Sequence, residues 1–281
     1  MADQLGLDVF GIGEHHRPDY AVSSPAIILA AAAMVTKKIK LASAVTVLSS
    51  DDPVRIFQNF SEIDHLSDGR AEIFAGRGSF IESIPLFGYD LQDYEELFIE
   101  KLDLLIQLNQ DVKVTWKDKH RASIDNRGVY PRPYQPTLPI WLAAGGTPAS
   151  AVRAATLGLP LMLAIIGGLP EQFVPFINLY KETAKKVGQD RSQLQFGVNN
   201  HVYIGEDSQK AGDEFYPYYA TMMNRVGLDR GWPPLSRRQF DYSRSPKRAL
   251  MVGIVQPVIN KILYEHELFG YTPFSCAGKY R

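Results

Sequence analysis

The feature that most narrows the fold of this chain is a rhythm. Short apolar runs rich in β-branched residues take turns with longer stretches of helical spacing, and no two runs follow each other across a tight turn. Strands separated by helices pair in parallel and are covered by the helices between them. Residues 7–12 read as a buried strand closed by Gly13, residues 39–48 as the clearest strand, and residues 71–75, 140–144, 161–166 and 196–204 as further ones. Helices are expected after Ser24-Pro25 and Asp52-Pro53, where a capping residue precedes the ring that suits the first helical position. Others are expected over 93–108, through Leu97, Lys101, Leu104 and Leu108, and over 148–157, 171–187, 209–223 and 257–268, with a short last strand at 272–277. Roughly seven strands result, which lies between an open doubly wound sheet and a closed eight-stranded barrel.

No composition break divides the 281 residues, so a single domain over 1–281 is expected. Two excursions interrupt the rhythm: an insertion near 111–139, marked by Pro131, Pro133, Pro136 and Pro139, and a long polar loop near 225–248. Residues 76–92 mix glycines with Arg77, Phe80, Phe87 and Tyr89, the composition of a functional loop. A net charge of −1 gives no electrostatic reason to expect nucleic acid or a membrane surface as partner. One cysteine, Cys276, excludes an intrachain disulfide framework and suits a reducing compartment. The N-terminus carries Asp3, Gln4 and Asp8 where a signal peptide would be apolar, and the apolar runs are too short to span a bilayer, so a cytoplasmic protein is expected.

Three constellations could carry chemistry. Gly13-Glu14-His15-His16 ends the first strand, at the rim where the strand-to-helix loops of an α/β barrel gather. A histidine there can shuttle a proton near neutral pH with Glu14 orienting or charging it; the competing reading is a structural histidine pair. No metal site is expected, because adjacent histidines at a strand end point apart and no further ligand cluster supports them. Gly145-Gly146-Thr147 opens a helix, where backbone approach and free N–H groups favour an anion, although such turns also arise for geometric reasons. Gly76-Arg77-Gly78 could fork a guanidinium onto a phosphate, or simply be a surface turn. The run Arg237, Arg238, Arg244, Lys247 and Arg248 reads as a solvated loop, and Phe215, Tyr216, Tyr218 and Tyr219 as helix packing.

Taken in order, Gly13-Glu14-His15-His16, Ser43-Ala44-Val45-Thr46-Val47-Leu48, Asp52-Pro53-Val54-Arg55, Leu66-Ser67-Asp68-Gly69-Arg70, Gly76-Arg77-Gly78, Phe87-Gly88 and Gly145-Gly146-Thr147-Pro148 resemble the bacterial luciferase-like flavin monooxygenases over nearly the whole chain. The resemblance implies a TIM-type (β/α)8 barrel that binds FMN. It implies that His15 assists proton transfer, that a non-proline cis peptide at Ala44-Val45 lies behind the flavin ring, and that Arg77 takes the phosphate. It further implies that Gly145, Gly146 and Thr147 cradle the phosphate and that Ile166 and Gly167 pack near the ring. Where luciferase carries a reactive cysteine before the phosphate arginine, this chain has Gly76, which points away from light emission. Set against the family, the barrel is expected to lack its first strand and last helix.

The reading that follows is an enzyme: FMN, reduced by NAD(P)H or a partner reductase, lets oxygen oxidise a small organic substrate, in a chain expected to be a homodimer by analogy. A deazaflavin cofactor with hydride transfer is the related alternative. A truncated, non-catalytic flavin-binding homologue is a second alternative. A barrel hydrolase or aldolase ranks last, for want of a nucleophile, a Schiff-base lysine or a metal cluster.

Overall fold

The computed structural model describes residues 1–78, 80–190, 194–228, 230–270 and 274–277. They form two compact units, Met1–Ala143 and Ala144–Arg281.

The first unit contains β1 (Val9–Ile12), α1 (Pro25–Val35), β2 (Lys40–Ser43), β3 (Thr46–Val47), α2 (Pro53–Leu66), β4 (Ala71–Gly76), α3 (Ser83–Leu86), α4 (Tyr94–Gln110), β5 (Lys113–Trp116), β6 (Ile124–Gly128) and β7 (Ile140–Ala144). Its strands pair in parallel in the order β1-β2-β4-β7, with β3 alongside the end of β4. The parallel α/β arrangement is therefore as expected. The run expected as one strand over 39–48 is two, β2 and β3, because the Ala44-Val45 peptide between them is cis. The insertion holds an antiparallel hairpin, β5 with β6, that the prolines had hidden.

Local chemistry explains the connections. Asp52 caps α2 by accepting from the N–H groups of Val54 (2.8 Å) and Arg55 (3.3 Å). Arg70 satisfies carbonyls at the end of α1, donating to Ala33 O (3.3 Å) and Thr36 O (3.1 Å), and also donates to Ile39 O (2.6 Å) just before β2. The fully buried Asp64 accepts from Ala71 N (3.2 Å) and Gln135 N (2.8 Å), fastening the insertion to the start of β4. On α4 the spacing read from sequence is the buried stripe: Leu97, Lys101, Leu104 and Leu108 are all inside. Each of those leucines contributes about 1.5–3 kcal/mol by leaving water.

The second unit contains α5 (Pro148–Thr156), β8 (Leu161–Ile165), α6 (Val174–Lys186), β9 (Phe196–Ile204), α7 (Ser208–Leu228), α8 (Arg237–Ser243), β10 (Met251–Gly253), α9 (Val255–Phe269) and β11 (Phe274–Ala277). The long strand β9 pairs in parallel with β8, β10 and β11. Of the strand expected over 272–277, residues 272 and 273 lie outside the described residues. β10 was not anticipated, since three residues are too few to show a period.

The long loop near 225–248 is shorter than expected: α7 runs on to Leu228, and α8 is set by a capping box of Ser236 and Gln239. Within it, the solvated reading fails for Arg244, whose guanidinium donates to Val252 O (3.3 Å) and to Ser208 O. The aromatic reading holds for Phe215 and Tyr219, which pack with Phe240, Leu250 and Val252, while Tyr216 is half-buried against them and Tyr218 is exposed.

Candidate active site

β1 delivers the turn Gly13-Glu14-His15-His16 at its C-terminal end. The His15 N–H donates to Val22 O (3.0 Å), and its ring stacks on Tyr20 with centroids 3.9 Å apart and an interplanar angle of 29°. Phe80 meets the same imidazole edge-on at 5.3 Å. Glycine leaves room at position 13, where a Cβ would lie a tight 3.3 Å from both His15 Nε2 and Ala44 O. The two histidines part company, as expected: His16 lies against Phe87 at 5.2 Å, and its Nε2 is 3.0 Å from Glu14 Oε1.

Glu14 is buried, and its other oxygen accepts from the Val47 N–H at 2.9 Å. One carboxylate thus ties the turn after β1 to β3. Burial pushes the Glu14 carboxyl above the usual range, against the pull of the His16 and Val47 hydrogen bonds. Asp51 is raised by burial as well. Near it, Lys101 is lowered to about 8 by burial; its Nζ donates to Ser49 O (2.7 Å) and lies 3.8 Å over the Tyr89 ring.

The peptide Ala44-Val45 is cis, as the resemblance implies, and the Ala44 N–H donates to Ile12 O at 2.7 Å. Glycine at 76 has a packing reason: a Cβ there would stand 2.8 Å from Val45 Cγ2. Arg77 follows it, ion-paired to Glu95, its carbonyl accepting from Tyr94 OH at 3.0 Å. His15, Ala44, Val45 and Arg77 therefore sit at the ends of neighbouring strands of the first unit.

In the second unit Gly145, Gly146 and Thr147 lead into α5, with Thr147 at the N-cap and Pro148 in the first turn. Gly146 has φ +104, which favours glycine, and a Cβ on Gly145 would meet nothing within 4 Å. Ile166 and Gly167 follow β8; the Ile166 carbonyl accepts from Tyr219 OH at 3.3 Å, and a Cβ on Gly167 would also meet nothing within 4 Å. Within the second unit, the open backbone at Gly145 and Gly167 leaves room for a ligand to approach the main chain.

Sequence reading did not single out Tyr20 or Asp51. Lys101 carried a usable signal, a charge on the apolar stripe of α4. The metal expectation also needs an addition. Asp93, Glu96 and His120 bring three ligand atoms within 4.8 Å of one another, through a tertiary contact that spacing could not reveal. Lys119 Nζ already lies 2.7 Å from Glu96 and 3.5 Å from Asp93, serving as their cation. Among the described residues no helix is long and apolar enough to cross a membrane.

The family model for luciferase-like monooxygenases matches residues 1–280. The chain belongs to that family.

It is 33% identical over 158 residues to an uncharacterized protein of Sinorhizobium fredii, covering 56% of this chain and 46% of that one, so the match spans less than half of that relative. It is 26% identical to the 4-hydroxyprotoasukamycin monooxygenase of Streptomyces nodosus, over 95% of this chain and 75% of that protein. Among solved structures, a monooxygenase from Streptomyces bottropensis superposes with TM-score 0.83 at 24% identity, covering 100% of this chain and 84% of that one. The oxygenating constituent of 3,6-diketocamphane monooxygenase from Pseudomonas putida, in complex with FMN, gives 0.75 at 19%, over 98% and 83%. An F420-dependent secondary alcohol dehydrogenase gives 0.81 at 20%, over 99% and 86%. These likenesses establish the fold class, that of the luciferase-like (β/α) barrels.

Proposed function

We propose that this chain is a single-domain, FMN-dependent monooxygenase that oxidises a small organic substrate, with His15 as its proton-handling residue. The observation that carries the reading is the placement of His15, its ring held against Tyr20 and Phe80 just past the end of a strand. A bound reduced flavin would supply the electrons that let oxygen attack the substrate. The protein's share is positioning and electrostatics. Arg77 would hold the phosphate charge, and Gly145, Gly146 and Thr147 would offer backbone N–H groups at the start of α5. Ala44, Val45, Ile166 and Gly167 would supply walls close to the ring. His15, its ring pinned by two aromatic neighbours, would give and take a proton without reorienting. Electrons would come from NAD(P)H or a partner reductase, and a homodimer is the assembly proposed by analogy.

Fluorescence titration with FMN and, separately, with the deazaflavin F420 decides the cofactor, since the fold is shared by proteins named for each. Saturable FMN binding together with oxygen-dependent NAD(P)H consumption is expected. His15→Ala should slow that consumption by roughly 10²–10⁴-fold with flavin still bound. An equal rate in the variant would remove His15 from the chemistry, and failure of both cofactors to bind would remove the flavin reading.

A further inference from the structure

A cavity of about 40 Å³ lies in the first unit, lined by Glu14, Asp51, Ser23, Ser24, Thr46 and Asn59 among others. A polar cavity of this size admits water. Glu14 also lines a second, smaller cavity, together with His15 and His16. One buried carboxylate thus borders both spaces.

We propose that Asp51, Glu14 and His16 form a proton conduit that supplies the His15 side of the rim, the water-sized cavity joining the two carboxyl groups. The proposal rests on the flavin reading for its purpose, though not for its existence. Reduction of O2 to hydrogen peroxide takes two electrons and two protons. A bound reduced flavin would supply the electron pair and one proton, and the conduit supplies the other. In the conduit, the Glu14 O–H bond breaks as an N–H bond forms at His16 Nε2, 3.0 Å away. His16 then releases a proton into the smaller cavity that it lines with Glu14 and His15, Asp51 reprotonates Glu14 through water in the larger cavity and is itself refilled from solvent, so the conduit ends as it began.

The charged surroundings suit this task. Glu14 faces His16 and Asp51; Asp51 faces Asp52, Lys101 and His16; and Lys101 faces Glu100 as well. Burial raises both carboxyls, so each keeps a proton to a higher pH than an exposed acid would. A purely structural clip would need only the hydrogen bonds of Glu14 to Val47 N and His16, and these survive in Glu14→Gln, whose amide oxygen accepts and whose NH2 donates.

The test compares the full-length wild type with Glu14→Gln and Asp51→Asn. Imidazole 15N titration of the protein alone should show the His16 midpoint moving in Glu14→Gln, since its hydrogen-bonded carboxyl partner is replaced by an amide. With FMN, all three proteins should bind within about twofold of one another. Oxidation of the reduced complex by O2 should then slow by roughly tenfold in each variant near pH 8, and the decline of the wild-type rate with rising pH should flatten. Equal rates and pH profiles with FMN bound, or an unmoved His16 midpoint, would overturn the conduit. If none of the proteins binds FMN, the flavin reading fails by itself, and the His16 titration alone decides whether Glu14 and His16 are linked.

Discussion

Among the described residues two lysines are buried, one in each unit, and their surroundings differ. Lys101 on α4 donates to Ser49 O, lies over Tyr89, and has Asp51, Asp52 and Glu100 nearby. Lys261 on α9 donates to Arg248 O (2.8 Å) and Leu250 O (2.7 Å), with Glu265 as its one carboxylate neighbour and Arg244 opposing it. Burial lowers both to about 8. The same residue type serves two ends. Lys261 secures the backbone entering β10. Lys101 places a positive charge behind a carboxylate that borders a cavity. Burial of a lysine is thus weak evidence of function until its partners are known.

The carboxylates repeat the contrast. Both oxygens of Glu14 are engaged, by His16 and by Val47 N. Glu265 accepts from Asn200 Nδ2 (2.9 Å) through one oxygen, whereas its other oxygen and Asn200 Oδ1 have no hydrogen-bond partner among the described residues. Burial accordingly lifts Glu265 to about 7.

The largest expected effect breaks that contrast through pH. A carboxyl raised from 4.5 to about 7 in the folded state stabilises the fold fully below pH 4.5, and this stability is lost as pH rises through 7. The wild type should therefore lose about 3 kcal/mol relative to Glu265→Gln between pH 4.5 and 7.5. Denaturant unfolding across that range measures it, and parallel curves would show that Glu265 is not raised.

Next comes Lys261→Met, which strands two carbonyls and should cost roughly 2–3 kcal/mol. Lys101→Met strands one and should cost roughly 1–2 kcal/mol. Thermal melts of the pair near pH 7 sharpen the comparison, and a reversed order would show that backbone anchoring is not what separates them. The smallest effect is Asp52→Ala, the loss of a helix cap, at about 1 kcal/mol in chemical denaturation. A change below about 0.3 kcal/mol would mean that neither the cap nor the Arg121 ion pair, both lost in this variant, stabilises the fold measurably.

Much of the fold was legible. β7 and β9 have the bounds read from sequence: Ile140–Ala144 is an apolar run that ends at a glycine turn, and Phe196–Ile204 begins and ends on apolar residues with Gly205 after it. The break inside 39–48 was not legible from period, since alternation continues through a cis peptide; only the resemblance pointed to Ala44-Val45. Hairpin β5–β6 and strand β10 escaped because their stability comes from partners rather than from a long run of their own. At the candidate site, His15 and Arg77 were visible from their place at strand ends. Tyr20 and Asp51 were not, because stacking and cavity walls arise between segments distant along the chain.

The sequence by itself determined the parallel α/β class, the helix starts at Asp52-Pro53 and Pro148, and the glycines that bring backbone close to backbone. Periodicity and capping act over a few residues, and the chain prints them directly. Only the tertiary structure decided which buried charges face a cavity and which merely fasten the backbone. A charge is stabilised by whatever surrounds it in space, and sequence order does not record those neighbours.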